Sequence, residues 1–331
     1  MENTEDFKFW QNITSLKDII WWSPTRFKVA SSCLKKYFFE YIKKEKVPIP
    51  SYFAVGIFLH KRMESMYKGE FGNLEVAFKS AESFYKQSKA IWIRKIIEEG
   101  EIQGKKISWK DKKEPWELIG LIKQICYRAY EKYLEEGPPL GIEIPVNFEL
   151  NGNFFRLRVD ELRKGAIIRD HKTGKWLEDE FELNYLPQLT MYALAISCKA
   201  YDDHEFAKVF GINNPEDLAG NKYFISPEIK TQYFHMRSGK IITRQRTDNH
   251  YFELAESLDD LESRIKSGEF PVNRHECGNC IYQKVCDQTT AGTIYPKIED
   301  SQLKLFDVKK RKKERTRQKH FRFIKDKSHI G

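Results

Sequence analysis

The sequence predicts an α/β fold with a central mixed sheet flanked by helices. Three observations predict it. Apolar and polar residues alternate with a period of two over Glu143–Leu150 and Phe155–Asp160, as strands require. Two turn signals, Asn151-Gly152-Asn153 and Arg163-Lys164-Gly165, fold that segment back on itself. On both sides of it, aromatic and aliphatic residues recur at three- and four-residue spacing, which marks amphipathic helices.

In chain order, Ser23-Pro24-Thr25 is a helix start with proline at an early position, and the segment continues through Phe27, Cys33, Tyr37 and Tyr41 to about residue 46. A second helix is expected from Ala54 to about Lys68. Residues 71–136 read as a helical insertion, broken at Glu99-Gly100 and by a polar stretch near Lys110–Glu114. After Gly137-Pro138-Pro139 the period changes. Ile144, Val146, Phe148 and Leu150 alternate with polar residues, then Phe155, Leu157 and Val159 alternate with Arg156, Arg158 and Asp160. Ala166–Lys172 forms the third strand, and a helix follows at about Leu186–Ala200. A hairpin at Gln232–Thr243 turns at Ser238-Gly239, and a helix covers about His250–Lys266. The expected organisation is an N-terminal helical part (1–70), the insertion (71–136), a sheet core with a cysteine cluster (137–290) and a basic tail (291–331).

The chain has 331 residues, 40% hydrophobic and 32% charged, enough for one large or two smaller cored domains. It contains no apolar run of about 18 residues, so no transmembrane helix and no membrane partner are expected. Met1–Trp10 carries Glu2, Glu5 and Asp6 without an apolar stretch, which reads against a secretory signal and for a cytoplasmic chain. Its six cysteines are then expected to be free or metal-bound. The net charge of +9 favours a polyanionic partner, DNA or RNA first, although part of it lies in the solvated run Lys309–Lys313.

Asp170 and Lys172, two apart on a strand, share a face. The turn at 163–165 brings Asp160 opposite residue 169 or 170. Two carboxylates and a lysine then converge, which suits phosphodiester hydrolysis. Carboxylate oxygens hold Mg²⁺ or Mn²⁺, the ion activates water, and the lysine stabilises developing negative charge. Taken alone, an Asp-x-Lys triplet is more often a solvated hairpin face.

The run Arg169-Asp170-His171-Lys172-Thr173-Gly174 resembles the D-x-K-T-G motif of the RecB-like branch of the PD-(D/E)XK nucleases. Asp160 in Arg158-Val159-Asp160 matches the preceding motif aspartate, and Gln188 with Tyr192 match the family's Q-x-x-x-Y helix. Gly56-Ile57-Phe58-Leu59-His60 resembles its G-x-x-x-H helix, whose histidine ligates metal. Glu143 stands where such proteins often carry an acidic residue. Leu157 stands where the family often has glycine. The resemblance covers roughly residues 24–290. It implies a restriction-endonuclease-like core, catalytic Asp160, Asp170, Lys172, Gln188 and Tyr192, and metal ligands His60, Asp160, Asp170 and Glu143. It also implies metal-dependent cleavage of DNA, exonucleolytic on single strands or ends. Different readings are a non-catalytic DNA-binding or clamp-associated subunit and a CRISPR-type adaptation nuclease.

Cys277, Cys280 and Cys286 have C-x₂-C-x₅-C spacing, which suggests metal in a reduced compartment. Cys33 is the candidate fourth ligand. In the AddB-like iron–sulfur subgroup of the family, one cysteine precedes the core and three follow it. This resemblance implies a 4Fe–4S cluster closing the termini, while a Cys₄ set also suits structural Zn²⁺. Cys126 and Cys198 fall in expected helices and read as buried apolar residues. In the tail, Gln302, Leu303, Leu305 and Phe306 form a Q-L-x-L-F segment similar to the motif that docks bacterial proteins on the DNA sliding clamp; a short packed strand is the other reading. The chain has no G-x-x-x-x-G-K-[ST] phosphate loop, so it is not expected to be an ATP-driven helicase.

Overall fold

The computed structural model describes residues 20–67, 96–98, 106–111, 113–174, 177 and 186–290. In chain order, β1 (Trp21–Trp22) leads into α1 (Pro24–Ser32), α2 (Leu34–Tyr37) and a π-helical turn at Phe38–Ile42. β2 (Ile49–Pro50) runs directly into α3 (Ser51–Tyr67), and β3 (Ile107–Ser108) precedes α4 (Glu114–Glu136). β4 (Gly141–Leu150), β5 (Asn153–Arg163) and β6 (Ile167–Lys172) follow, then α5 (Pro187–Asp202) and α6 (His204–Phe210). β7 (Lys230–His235), β8 (Lys240–Gln245), α7 (Asp248–Lys266), a turn at Arg274–Asn279 and α8 (Gln283–Thr290) complete the described chain.

The central sheet is mixed. β4–β5, β5–β6 and β7–β8 are antiparallel, whereas β1–β5 and β6–β7 are parallel. Antiparallel neighbours need only turns. Asn151 and Gly152 both take positive φ, 54° and 77°, as a two-residue hairpin requires. The second turn, at Gly165 and Ala166, lies against the end of α6. There Ala166 N–H donates to Phe210 O at 2.7 Å, and a Cβ on Gly211 would sit 3.2 Å from Ala166 N. The parallel β6–β7 pair needs a long crossover, and α5 and α6 supply it.

Local chemistry sets the helix ends. Ser23 Oγ accepts from Arg26 N at 3.2 Å, and Pro24 follows it. Asp111 Oδ1 accepts from the N–H groups of Lys113 and Glu114 at the start of α4, and Gly137 at φ 72° ends it. The helix expected over 23–46 is interrupted at Cys33, whose backbone is extended (φ −163°, ψ 113°). The interruption has a tertiary cause: Lys35 N–H donates to Pro271 O at 3.1 Å, and Asn273 N–H donates to Cys33 Sγ at 3.4 Å.

Two apolar clusters flank the sheet. The larger packs α1, α2, α5, α6 and α7 on β4, β5 and β6 through residues such as Phe27, Leu157, Ile168, Leu194 and Leu258. The second joins α3 and α4 to β7 through Val55, Phe58, Leu59, Ile122, Ile125 and Phe234. Part of the stretch read as an insertion therefore shares an apolar cluster with α3. Among the described residues no helix is long and apolar enough to cross a membrane.

Candidate active site

The strand registers align three carboxylates in one row. β4 pairs with β5 as Ile142↔Glu161 and Ile144↔Val159, so Glu143 lies opposite Asp160. β5 pairs with β6 as Glu161↔Arg169, and the next step in that register sets Asp160 opposite Asp170. The ladder pairing skips the Glu143–Asp160 rung between β4 and β5 and ends before the Asp160–Asp170 rung between β5 and β6. Glu143 instead adopts φ 49°, a strained conformation for a non-glycine residue. His171 N–H turns to the Asp160 carboxylate, donating to Oδ2 at 2.9 Å.

Helices on two sides complete the site. From α5, Tyr192 OH donates to Asp160 Oδ1 at 3.0 Å, and Gln188 Nε2 donates to Tyr192 OH at 2.9 Å. Lys172 Nζ donates to Gln188 Oε1 at 2.6 Å and to Asp170 Oδ1 at 3.1 Å, and lies 2.9 Å from Asp170 Oδ2 as an ion pair. One hydrogen-bonded path thus runs from Asp170 through Lys172, Gln188 and Tyr192 to Asp160. Gln188 and Tyr192 are four apart on α5 and meet on one face. From α3, His60 Nδ1 lies 3.0 Å from Glu143 Oε1 and 3.9 Å from Asp160 Oδ2. All seven residues expected from the sequence are therefore brought together.

Electrostatics follow from this crowding. Burial alone would lower the His60 pKa, but Asp160, Glu143 and Asp170 overcome it and raise it to about 9. Negative charge is concentrated at His60, and the same field would favour a bound cation. Burial, opposed by the Lys172 ammonium and reinforced by Asp160, holds Asp170 above the usual carboxylate range. Burial with Asp160 and Asp170 pushes Tyr192 well up, so its phenol stays protonated and donates.

Two residues outside the expected set belong here. A ligand atom of His171 lies with one each from His60 and Asp160, all within 4.8 Å of one another. Behind it, His171 Nε2 lies 2.6 Å from Glu161 Oε2, and Glu161 also pairs with Arg163 and Arg169. Arg169 Nη1 reaches Glu136 Oε2 of α4 at 2.7 Å. The available signal was a histidine inside Asp-x-Lys, preceded by Arg169, on the strand that follows Asp160, Glu161 and Arg163. Period-two reading sends such residues to solvent.

A second cluster lies away from this row. Cys33, Cys277, Cys280 and Cys286 line one cavity of about 350 Å³, with Lys35, Arg274 and Tyr282 nearby. Asn273 clips the two chain segments together, donating from Nδ2 to Ser32 O at 2.8 Å and from its backbone N–H to Cys33 Sγ. Cys126 and Cys198 stand apart, and burial pushes both thiols up to about 12, which suits inert packing residues. The Gln302, Leu303, Leu305, Phe306 segment lies outside the described residues.

The sequence model of the PD-(D/E)XK nuclease superfamily matches residues 21–287. The chain belongs to this superfamily. No curated protein matches the sequence. Among solved structures it is similar to the crystal structure of a "Putative exonuclease" from Eubacterium rectale, with a TM-score of 0.42 and 16% sequence identity over 84% of this chain and 90% of that one.

PD-(D/E)XK nucleases use divalent metals, and the donor set here fits one. Asp170 Oδ2 is buried and accepts no hydrogen bond, although it lies beside the Lys172 ammonium. Asp160 and the His60 imidazole act on Asp170, and Glu143 lies against His60; such oxygen and nitrogen donors suit a hard or borderline divalent cation. Tyr192 orients Asp160 from behind. Tyr192→Phe is expected to weaken Mn²⁺ affinity roughly 10-fold, in the range for lost ligand-orienting bonds, without unfolding the protein. Calorimetric Mn²⁺ titration of the variant checks this.

Proposed function

We propose that the chain is a Mg²⁺- or Mn²⁺-dependent deoxyribonuclease of the RecB-like, AddB-like branch. It cuts single strands or ends during DNA repair, recombination or replication. The observation that carries this reading is the path joining Lys172 to Asp170 directly and to Asp160 through Gln188 and Tyr192. His60, Glu143, Asp160 and Asp170 would hold the metal. The bound ion supplies charge neutralisation and an activated water. Lys172 places its ammonium beside Asp170, where the attacking water and a phosphate oxygen would meet. Gln188 fixes the lysine, and Tyr192 keeps one Asp160 oxygen engaged so that the carboxylate cannot swing away.

The experiment is Mn²⁺-dependent digestion of three labelled substrates: linear single strands, end-blocked linear DNA and circular DNA. Loss of the linear substrate with survival of the other two is expected. Equal digestion of circles overturns the exonuclease assignment, and no cleavage of any substrate overturns the nuclease assignment.

The same reading assigns Cys33, Cys277, Cys280 and Cys286 to a 4Fe–4S cluster. The support is that all four line one cavity and that an N–H group already faces the Cys33 sulfur. Protein purified without oxygen is expected to absorb at about 400 nm, and Cys280→Ala is expected to lose the band. A colourless protein carrying one zinc would establish the tetrahedral alternative instead. The Q-L-x-L-F segment, with Gln302, Leu303, Leu305 and Phe306, is assigned to docking on a sliding clamp on its sequence alone.

A further inference from the structure

We propose that Tyr52 and Phe53 form a stacking platform for unpaired bases of the DNA strand entering the candidate active site. The proposal rests on the nuclease reading and adds to it a specificity for single-stranded substrate.

Tyr52 and Phe53 are the most exposed aromatic side chains among the described residues, at 62% and 53%. Their ring centroids lie 5.4 Å apart. They open α3, the helix that carries His60. Burial along this helix divides it cleanly. Ala54, Val55, Phe58, Leu59 and Met63 are buried in the second apolar cluster, while positions 52, 53, 56, 57, 60 and 61 are exposed or half-buried. Phe53 and His60 are seven residues apart, so they share that wet face and lie about 10 Å apart along the axis. At the 3.4 Å spacing of a stacked strand, this is roughly three nucleotides. Midway between them, an added Cβ on Gly56 would sit 3.5 Å from Thr173 Oγ1, so the residue that follows Lys172 meets this face of α3.

Exposed lysines stand on the segments that adjoin the start of α3, with acidic residues among them. β2 and β3 pair as Ile49↔Ile107 and Pro50↔Ser108, which sets the end of β3 against the start of α3. Ser51 Oγ and Lys110 N–H share the Glu114 carboxylate, which fixes this corner. Lys46, Lys106 and Lys110 are exposed on the segments that lead to it, as is Asp111. Flat π-faces next to cations bind single strands without regard to sequence, because every base can stack. A duplex keeps its bases inside and offers the rings only backbone.

The test is fluorescence anisotropy of labelled oligo-dT and of an abasic strand of equal length, both in EDTA, with wild type, Tyr52→Ala, Phe53→Ala and the double variant. Wild type is expected to prefer oligo-dT. Each single substitution should weaken oligo-dT binding about 10-fold and leave abasic binding unchanged. Unchanged oligo-dT affinity, or equal loss on both strands, would overturn the platform. So would a dimeric wild type that becomes monomeric in the double variant, since the rings would then be an interface between copies. Cleavage with Mn²⁺ at saturating DNA is measured in parallel. A wild type that never cleaves defeats the nuclease reading without touching the binding contrast.

Discussion

Lys172→Ala is expected to lower the single-turnover rate of DNA cleavage roughly 10²–10³-fold, the loss typical of removing one preorganised charge-stabilising donor. Lys172 remains partly open, with 26% of its side chain exposed, so its removal leaves no buried void. The melting temperature should therefore hold while the rate falls. Lys172 is also the joint between two carboxylate positions: its ammonium contacts Asp170 directly and Gln188 at 2.6 Å. Lys172→Arg should not restore the rate, because a planar fork cannot take the place of a compact ammonium between these partners. Asp170→Ala is expected to be at least as damaging, since it also removes a proposed metal ligand. Near-normal cleavage by both alanine variants with Mn²⁺ on labelled single strands would show that the chemistry lies elsewhere.

Glu161→Ala is expected to have the largest effect on stability, costing about 3–5 kcal/mol as the broken member of a buried ionic group. Glu161 is 0% exposed and pairs with His171, Arg163 and Arg169. Burial alone would raise its pKa, but His171, Arg169 and Arg163 lower it from 4.5 to about 2. The folded value is depressed, so the stabilisation is complete above the unfolded value and is lost as pH falls through the folded one. The unfolding free energy from urea titrations should thus fall between pH 4.5 and about 2, by up to about 3 kcal/mol. In Glu161→Gln that part of the acid dependence should be missing. A variant as stable as wild type at neutral pH, with the same acid profile, would refute the role.

The parts of the fold that were legible in the sequence are those closed by short-range chemistry. The β4–β5 and β5–β6 hairpins follow from Asn151-Gly152 and Lys164-Gly165, and the period-two pattern fixes which side chains oppose one another. The row Glu143, Asp160, Asp170 is a consequence of those registers. β1 was too short for any periodicity to register. The β6–β7 pair was illegible for another reason: its partners, such as Asp170 and Tyr233, are joined by a long crossover with no local signal. Glu161 and His171 were missed because their burial comes from Glu136 on α4 and from neighbouring strands, which strand alternation does not encode. The break at Cys33 was missed likewise, since residues near 271–273 impose it.

The contact between Asn273 and Cys33 joins positions 240 residues apart. Loop-closure entropy rises only slowly with length, so this contact costs little more than one across half the span. Its timing is another matter. Every residue proposed for the hydrolytic site, from His60 to Tyr192, lies inside the loop that this contact closes. During synthesis, which proceeds from the N-terminus, all of them are made before Asn273 exists. Cys33 has to wait for a partner at the far end of the chain. The order of manufacture places the hydrolytic centre first and the clasp around it last.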